Sequence, residues 1–282
     1  MWRDNSDAFP AAANALAIVG QILDPSGNRI GSEFKVNTFD ADSEFEFDAA
    51  ALPNGGFVVV YTDDPSGAFE DYAIRATEWT TNADGTIGTG TSTTIATSPE
   101  AGDFVRYPTV AADSSGGFWV GYERFDASNP FEKYETEAVY VDSSFAVGPR
   151  MQPYLPSNTS IGQTDSAVLS DGSFVLVAEQ SQSVAWSRFN TTTVLNADFI
   201  ASADNNGDDD LDPSVAALAG GGFAVAWENI GAYSDIQYAV MDNYGVLQTS
   251  SLFNSGGETD VNDDPHIIAL ADGGFVVARL ST

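Results

Sequence analysis

Three stretches gather the side chains that could do chemistry. In "FDADSEFEFD" (39 to 48) a carboxylate stands at every second position, from Asp40 to Asp48, and in "DNNGDDDLD" (204 to 212) oxygen ligands crowd one short loop. "ETDVNDD" (258 to 264) repeats the theme with Asp260, Asn262 and Asp264 at alternate places. Like charges this close repel, by about 0.7 kcal/mol per pair at ~6 Å in water, so such runs call for a counter-ion or for solvent. Oxygen-rich loops suit a hard cation, calcium (Ca2+) above all, because it accepts six to eight oxygens in irregular geometry. The expected ligands are Asp204, Asn206, Asp208 and Asp212, with Asp260 and Asp264 in a second site. The first set is similar to a D-x-N-x-D-G-x-x-D calcium loop, although Asp209 stands where glycine is expected. Val215 at the twelfth place excludes an EF-hand, which needs a bidentate glutamate there.

Positioning these residues falls to a repeat. A Gly-containing turn followed by a Phe-led apolar run recurs in "AAALPNGGFVVVY", "VAADSSGGFWVGY", "AVLSDGSFVLVA", "VAALAGGGFAVAW" and "IIALADGGFVVAR", with the phenylalanine at 57, 118, 174, 223 and 275. A unit of that length holds four short strands, and helical periodicity is nowhere sustained. The expected fold is therefore all-β, a five-bladed β-propeller of four-stranded antiparallel blades. Residues 1–282 make one domain in this reading, with 1–12 as a terminal segment. Residues 265–282 and 13–39 supply half-blades that close the ring.

"DPSVAALAGGGFAVAWEN", followed by "DIQYAVMDNYGVL", resembles the repeat of bacterial extracellular propellers in large calcium-rich secreted and surface proteins of the RTX-adhesin kind. That resemblance covers about residues 13 to 280. It implies an extracellular or cell-surface location and an adhesion context, although the glycine-rich nonapeptide of calcium rolls is absent.

Composition narrows the partners. With 41 acidic and 10 basic residues the net charge is -31, which repels nucleic acid and anionic membrane surfaces. No apolar run approaches the ~20 residues of a membrane span, so no membrane insertion is expected. The N-terminus lacks the basic n-region of a secretory signal, so the chain is expected to be mature, excised or exported by another route. There is no cysteine and a single histidine, His266, which excludes thiol chemistry and any site with two histidines. A catalytic triad through His266 also lacks its Gly-x-Ser-x-Gly elbow. A monomer, or a part of a larger chain, is expected.

In a propeller most of the acids fall on the face where strand four leads into the next strand one. The ends of the second strands approach the same face. They read Tyr61-Thr62, Tyr122-Glu123, Ala178-Glu179, Trp227-Glu228 and Arg279-Leu280. Aromatic platforms beside carboxylates suit a sugar, whose C–H face stacks on a ring while its hydroxyls bond to acids. Tyr61, Tyr122, Trp227, Glu123, Glu179 and Glu228 are thus the candidate ligand-binding residues, with packing between blades as the competing role of the rings. The expected function is a calcium-supported extracellular module that recognises a glycan or other cell-surface ligand. A sugar-cleaving enzyme, glycosidase or polysaccharide lyase, is the alternative, with Asp48, Asp165, Asp212 and Asp264 near the channel as its carboxylates. A structural spacer is the third.

Overall fold

The computed structural model describes residues 1–4, 17–37, 43–64, 72–98, 100, 102–128, 134–153, 161–180, 183–200, 209–230, 234–253 and 262–281. Among the described residues the chain forms twenty-one strands and no helix. The first sheet comprises β1 (Trp2–Asp4), β2 (Ala17–Leu23) and β3 (Arg29–Lys35) in the order β1-β2-β3. A four-stranded sheet follows, of β4 (Ser43–Ala51), β5 (Phe57–Asp64), β6 (Ala73–Thr81) and β7 (Ile87–Thr97) in sequence order. The next contains β8 (Phe104–Ala112), β9 (Phe118–Phe125), β10 (Tyr134–Val141) and β11 (Val147–Met151).

Two more four-stranded sheets comprise β12 (Ile161–Val168), β13 (Phe174–Gln180), β14 (Ser183–Asn190) and β15 (Thr193–Phe199), then β16 (Asp209–Ala217), β17 (Phe223–Ile230), β18 (Ser234–Met241) and β19 (Leu247–Phe253). Last come β20 (Asn262–Ala269) and β21 (Phe275–Ser281), a two-stranded sheet. The antiparallel four-stranded units expected from the repeat are present.

The end blade differs from expectation. Along β2, the edge that the repeat assigns to residues 275–281 holds β1 instead, with Trp2 opposite Val19, Arg3 opposite Ile18 and Asp4 opposite Ala17. β3 takes the other edge, and β20 pairs with β21. Once a strand's two rows of backbone groups are both paired, no third strand can join it.

The turn glycines explain the repeat. Gly55, Gly116, Gly172, Gly221 and Gly273 all have φ between 81° and 94°, which an L-residue with a Cβ adopts only under strain. A second signature is less visible in the sequence. In four sheets the first strand breaks register at one place, between Phe45 and Phe47, Arg106 and Thr109, Leu211 and Ser214, and Asp263 and His266. A non-glycine residue of positive φ sits in each break: Glu46, Tyr107, Asp212 and Asp264. These are bulges, which re-aim side chains at the strand's end.

The chain divides into two compact units, residues 1–127 with 141–148, and residues 128–140 with 149–282. In the first, Ile18, Val36, Val59 and Tyr61 form a core cluster with Phe34, Phe47 and Phe57 against it. In the second, Val175, Val177, Trp186, Val225 and Trp227 pack with Phe223 and Met241. Each large side chain so buried contributes about 1.5–3 kcal/mol, which fixes the strand ends that carry the polar residues.

Candidate active site

β13 and β17 begin as continuous apolar runs buried on both faces and carry their polar residues near their ends. In the second unit, Glu179 lies one residue before the end of β13 and is half-buried. Facing it across the ladder is the β12 irregularity, where the register jumps from Ile161 opposite Gln180 to Thr164 opposite Ala178. Burial, then the charge of Asp212, then that of Asp209 push the Glu179 carboxyl up to about 7. Both aspartates come from the start of β16, and Asp212 is the positive-φ residue of its bulge, with φ of 49°. A backbone held in that region costs of order 1–3 kcal/mol and is concentrated at functional sites. The charges of two aspartates thus act on the Glu179 carboxyl, which is protonated through the acidic range and half so near neutrality.

The flanking residues are tied down. Asp210 accepts hydrogen bonds from Trp227 Nε1 at 2.9 Å and from Asn229 Nδ2 at 2.9 Å. Glu228 is buried and accepts from the Ser234 hydroxyl. Asp165 accepts from the Val215 amide at 2.8 Å and from Ser214 Oγ at 3.0 Å, so it latches β12 to β16. Those bonds fix β16, and with it Asp209 and Asp212, beside the strand pair that carries Glu179.

The first unit carries a different constellation. Glu123 is fully buried and accepts from Arg106 Nε at 2.8 Å. The Arg106 guanidinium lies over the Phe104 ring at 4.5 Å and the Tyr107 ring at 4.7 Å. Glu46 accepts from the Tyr107 amide at 2.8 Å and from the Thr62 hydroxyl at 3.1 Å. Asp48 accepts from the Val110 amide at 2.8 Å and from Thr109 Oγ1 at 3.1 Å, the same latch that Asp165 makes. Burial raises the Asp48 carboxyl above the ordinary aspartate range, against the pull of those donors. This arrangement pairs its charges instead of leaving an acid poised.

The expected residues fare unevenly. Tyr61, Tyr122 and Trp227 are each 0% exposed, so they offer no ring face to a sugar and belong to the core. The register of their strands turns these rings inward. Glu123 and Glu228 are buried with their partners, and Glu179 alone of the six has its carboxyl raised by neighbouring aspartates. Of the expected calcium ligands, Asp204, Asn206, Asp208 and Asp260 lie outside the described residues. Asp212 sits with Glu179, and Asp264 is exposed, 4.0 Å from His266 Nε2. Among the described residues no group of three or more His, Asp or Glu has the arrangement of a metal site. Of the four channel carboxylates, Asp48 and Asp165 are latches, and only Asp212 meets a second carboxyl group of raised pKa. Asp209, Gly162, Arg106 and Glu46 were not among the expected site residues.

Comparison with known proteins places the fold. No family model and no curated protein matches the chain. Solved structures do. An α-L-arabinanase of Penicillium chrysogenum, complexed with arabinobiose, superposes with a TM-score of 0.59 at 13% identity, over 88% of this chain and 76% of that one. An α-L-arabinofuranosidase of Fusarium graminearum, bound to an iminosugar inhibitor, gives 0.57 at 13% identity over 89% and 81%. A Trypanosoma rangeli sialidase with sialic acid gives 0.56 at 11% identity, over 98% of this chain and 47% of that one. The fold is thus of the β-propeller class. These likenesses correct the expectation of a glycan-binding adhesion module, since they run to sugar-cleaving enzymes, and the burial of the aromatic rings removes the platforms on which that expectation rested.

Proposed function

We propose that the protein is a glycoside hydrolase in which Glu179 is the general acid and Asp212 its ionised partner. The observation that carries this reading is the Glu179 carboxyl, raised to about 7 beside two aspartates. Glycosidic cleavage needs two carboxyl groups in unlike protonation states, one to donate a proton and one to stay charged. Glu179 donates its proton to the glycosidic oxygen as the bond to the anomeric carbon breaks. Asp212 opposes the positive charge that develops at that carbon, and water then adds its hydroxyl there and returns its proton to the Glu179 carboxylate. Burial, then the charges of Asp212 and Asp209, hold the proton on Glu179 up to about pH 7.

The fold supports the reading, because the arabinanase, arabinofuranosidase and sialidase above share it. Those proteins suggest the first substrates to try: arabinobiose and other arabinosides, then sialosides. The same reading gives the protein a glycan partner and an extracellular place of work. We also infer five blades, as the five copies of the turn suggest. The test is product release from arabinan, arabinobiose and sialyllactose by wild type, Glu179→Gln and Asp212→Asn. Removing a general acid costs about 10²- to 10⁴-fold. Turnover by wild type with such losses supports the assignment, whereas turnover unaffected by either change refutes it.

A further inference from the structure

The glycines of this chain serve two distinct ends. Those in the hairpin turns have φ near 80° to 90°, where glycine is chosen for its backbone. Gly162 differs: its φ lies outside the left-handed region, so the backbone there would accept any residue. The space beside it would not. A Cβ at Gly162 would overlap Glu179 Oε2, and would lie 2.7 Å from the Glu179 Cδ and 3.3 Å from its Cβ. All three nearest atoms belong to that one side chain. The position also falls inside the β12 irregularity, where Gly162 and Gln163 stand opposite Glu179.

We propose that Gly162 is a positioning residue for Glu179, its missing side chain forming the seat in which the carboxyl lies against the β12 backbone. The inference rests on the hydrolase reading for its functional meaning but on geometry alone for its content. Seated there, the carboxyl is shielded by the strand and faces Asp209 and Asp212. A methyl group at 162 displaces it toward water, where burial no longer holds its proton. The clash is with the far end of a flexible side chain, so the sheet survives while the acid moves.

The experiment is a carbon-13 titration of the side-chain carboxyls in wild type and Gly162→Ala, with the Glu179 signal assigned by its loss in Glu179→Gln. A Glu179 midpoint near neutrality in wild type, falling by about one unit or more in Gly162→Ala, is the expected result. An ordinary glutamate midpoint in wild type, or an unchanged one in folded Gly162→Ala, overturns the proposal. Should Gly162→Ala fail to fold, the double variant Gly162→Ala/Glu179→Ala decides: folding restored by removing the glutamate supports the seat, and folding still lost overturns it. The titration is readable without turnover, so a wild type that cleaves no glycoside sinks the hydrolase reading and leaves the seat to stand or fall on its own midpoint.

Discussion

Replacing Asp209 by asparagine isolates the electrostatic part of the Glu179 environment without touching either proposed catalytic carboxyl. With Glu179 at about 7, its protonated fraction falls about 90-fold between pH 6 and pH 9, and the alkaline limb of kcat/KM should follow it. Burial and Asp212 remain in the variant, so only the third contribution is lost. Two carboxylates ~8 Å apart at an effective dielectric constant of ~60 repel by ~0.7 kcal/mol, about half a pH unit. The sign is fixed: removing a neighbouring negative charge stabilises the Glu179 carboxylate, lowers its pKa and moves the alkaline limb to lower pH. At pH 8 the variant should therefore retain about one third of wild-type kcat/KM, with the acidic plateau unchanged. The assay is initial-rate hydrolysis of the best glycoside substrate from pH 5 to 9. A limb that stays in place or moves to higher pH refutes the account of why Glu179 is poised.

Stability gives an independent reading of the same group. An acid whose folded pKa is raised favours folding while protonated and loses that contribution as pH climbs from about 4.5 through about 7. Glu179→Gln should thus melt with wild type at pH 4 and above it at pH 8, as followed by circular dichroism. Glu123→Gln removes the partner of Arg106 at a fully buried site. Breaking such a pair costs about 3 kcal/mol, lowered here because Arg106 keeps some solvent, and urea unfolding measures it. Asp165→Ala strips acceptors from the Val215 amide and the Ser214 hydroxyl, so a loss of about 2 kcal/mol is expected, with lowered hydrogen-exchange protection at Val215. An unchanged melting curve for that variant would contradict the latch.

The strands were legible in the sequence because their signals are local. Gly172 and Gly221 sit in turns that need positive φ, and Phe174 and Phe223 follow at the start of continuous apolar runs. Glu179 was legible as a strand-end carboxylate, since the repeat aligns it with Glu123 and Glu228. What the repeat does not encode is the neighbour each carboxylate meets: Arg106 answers Glu123, Ser234 answers Glu228, and the charges of Asp212 and Asp209 act on Glu179. That distinction depends on tertiary neighbours tens of residues away. The same holds for the rings of Tyr61, Tyr122 and Trp227, whose inward direction is set by bulge and register.

Prolines mark three of the bulges. Tyr107-Pro108, Asp212-Pro213 and Asp264-Pro265 each place a proline within a first strand, where it is tolerated at a bulge. The residue before each of them is the strained one. Read that way, Asp212 would have stood out by its backbone as well as by its charge. The edge of β2 was not legible, because pairing Trp2 to Asp4 with it rests on three residues that carry no repeat signature.

The most direct test of the central claim is hydrolysis of a panel of glycosides, neutral and sialylated, by wild type and Glu179→Gln at pH 6. The account predicts release of free sugar by wild type and a loss of about 100-fold or more in the variant. No release from any glycoside, or equal rates in the two proteins, contradicts it.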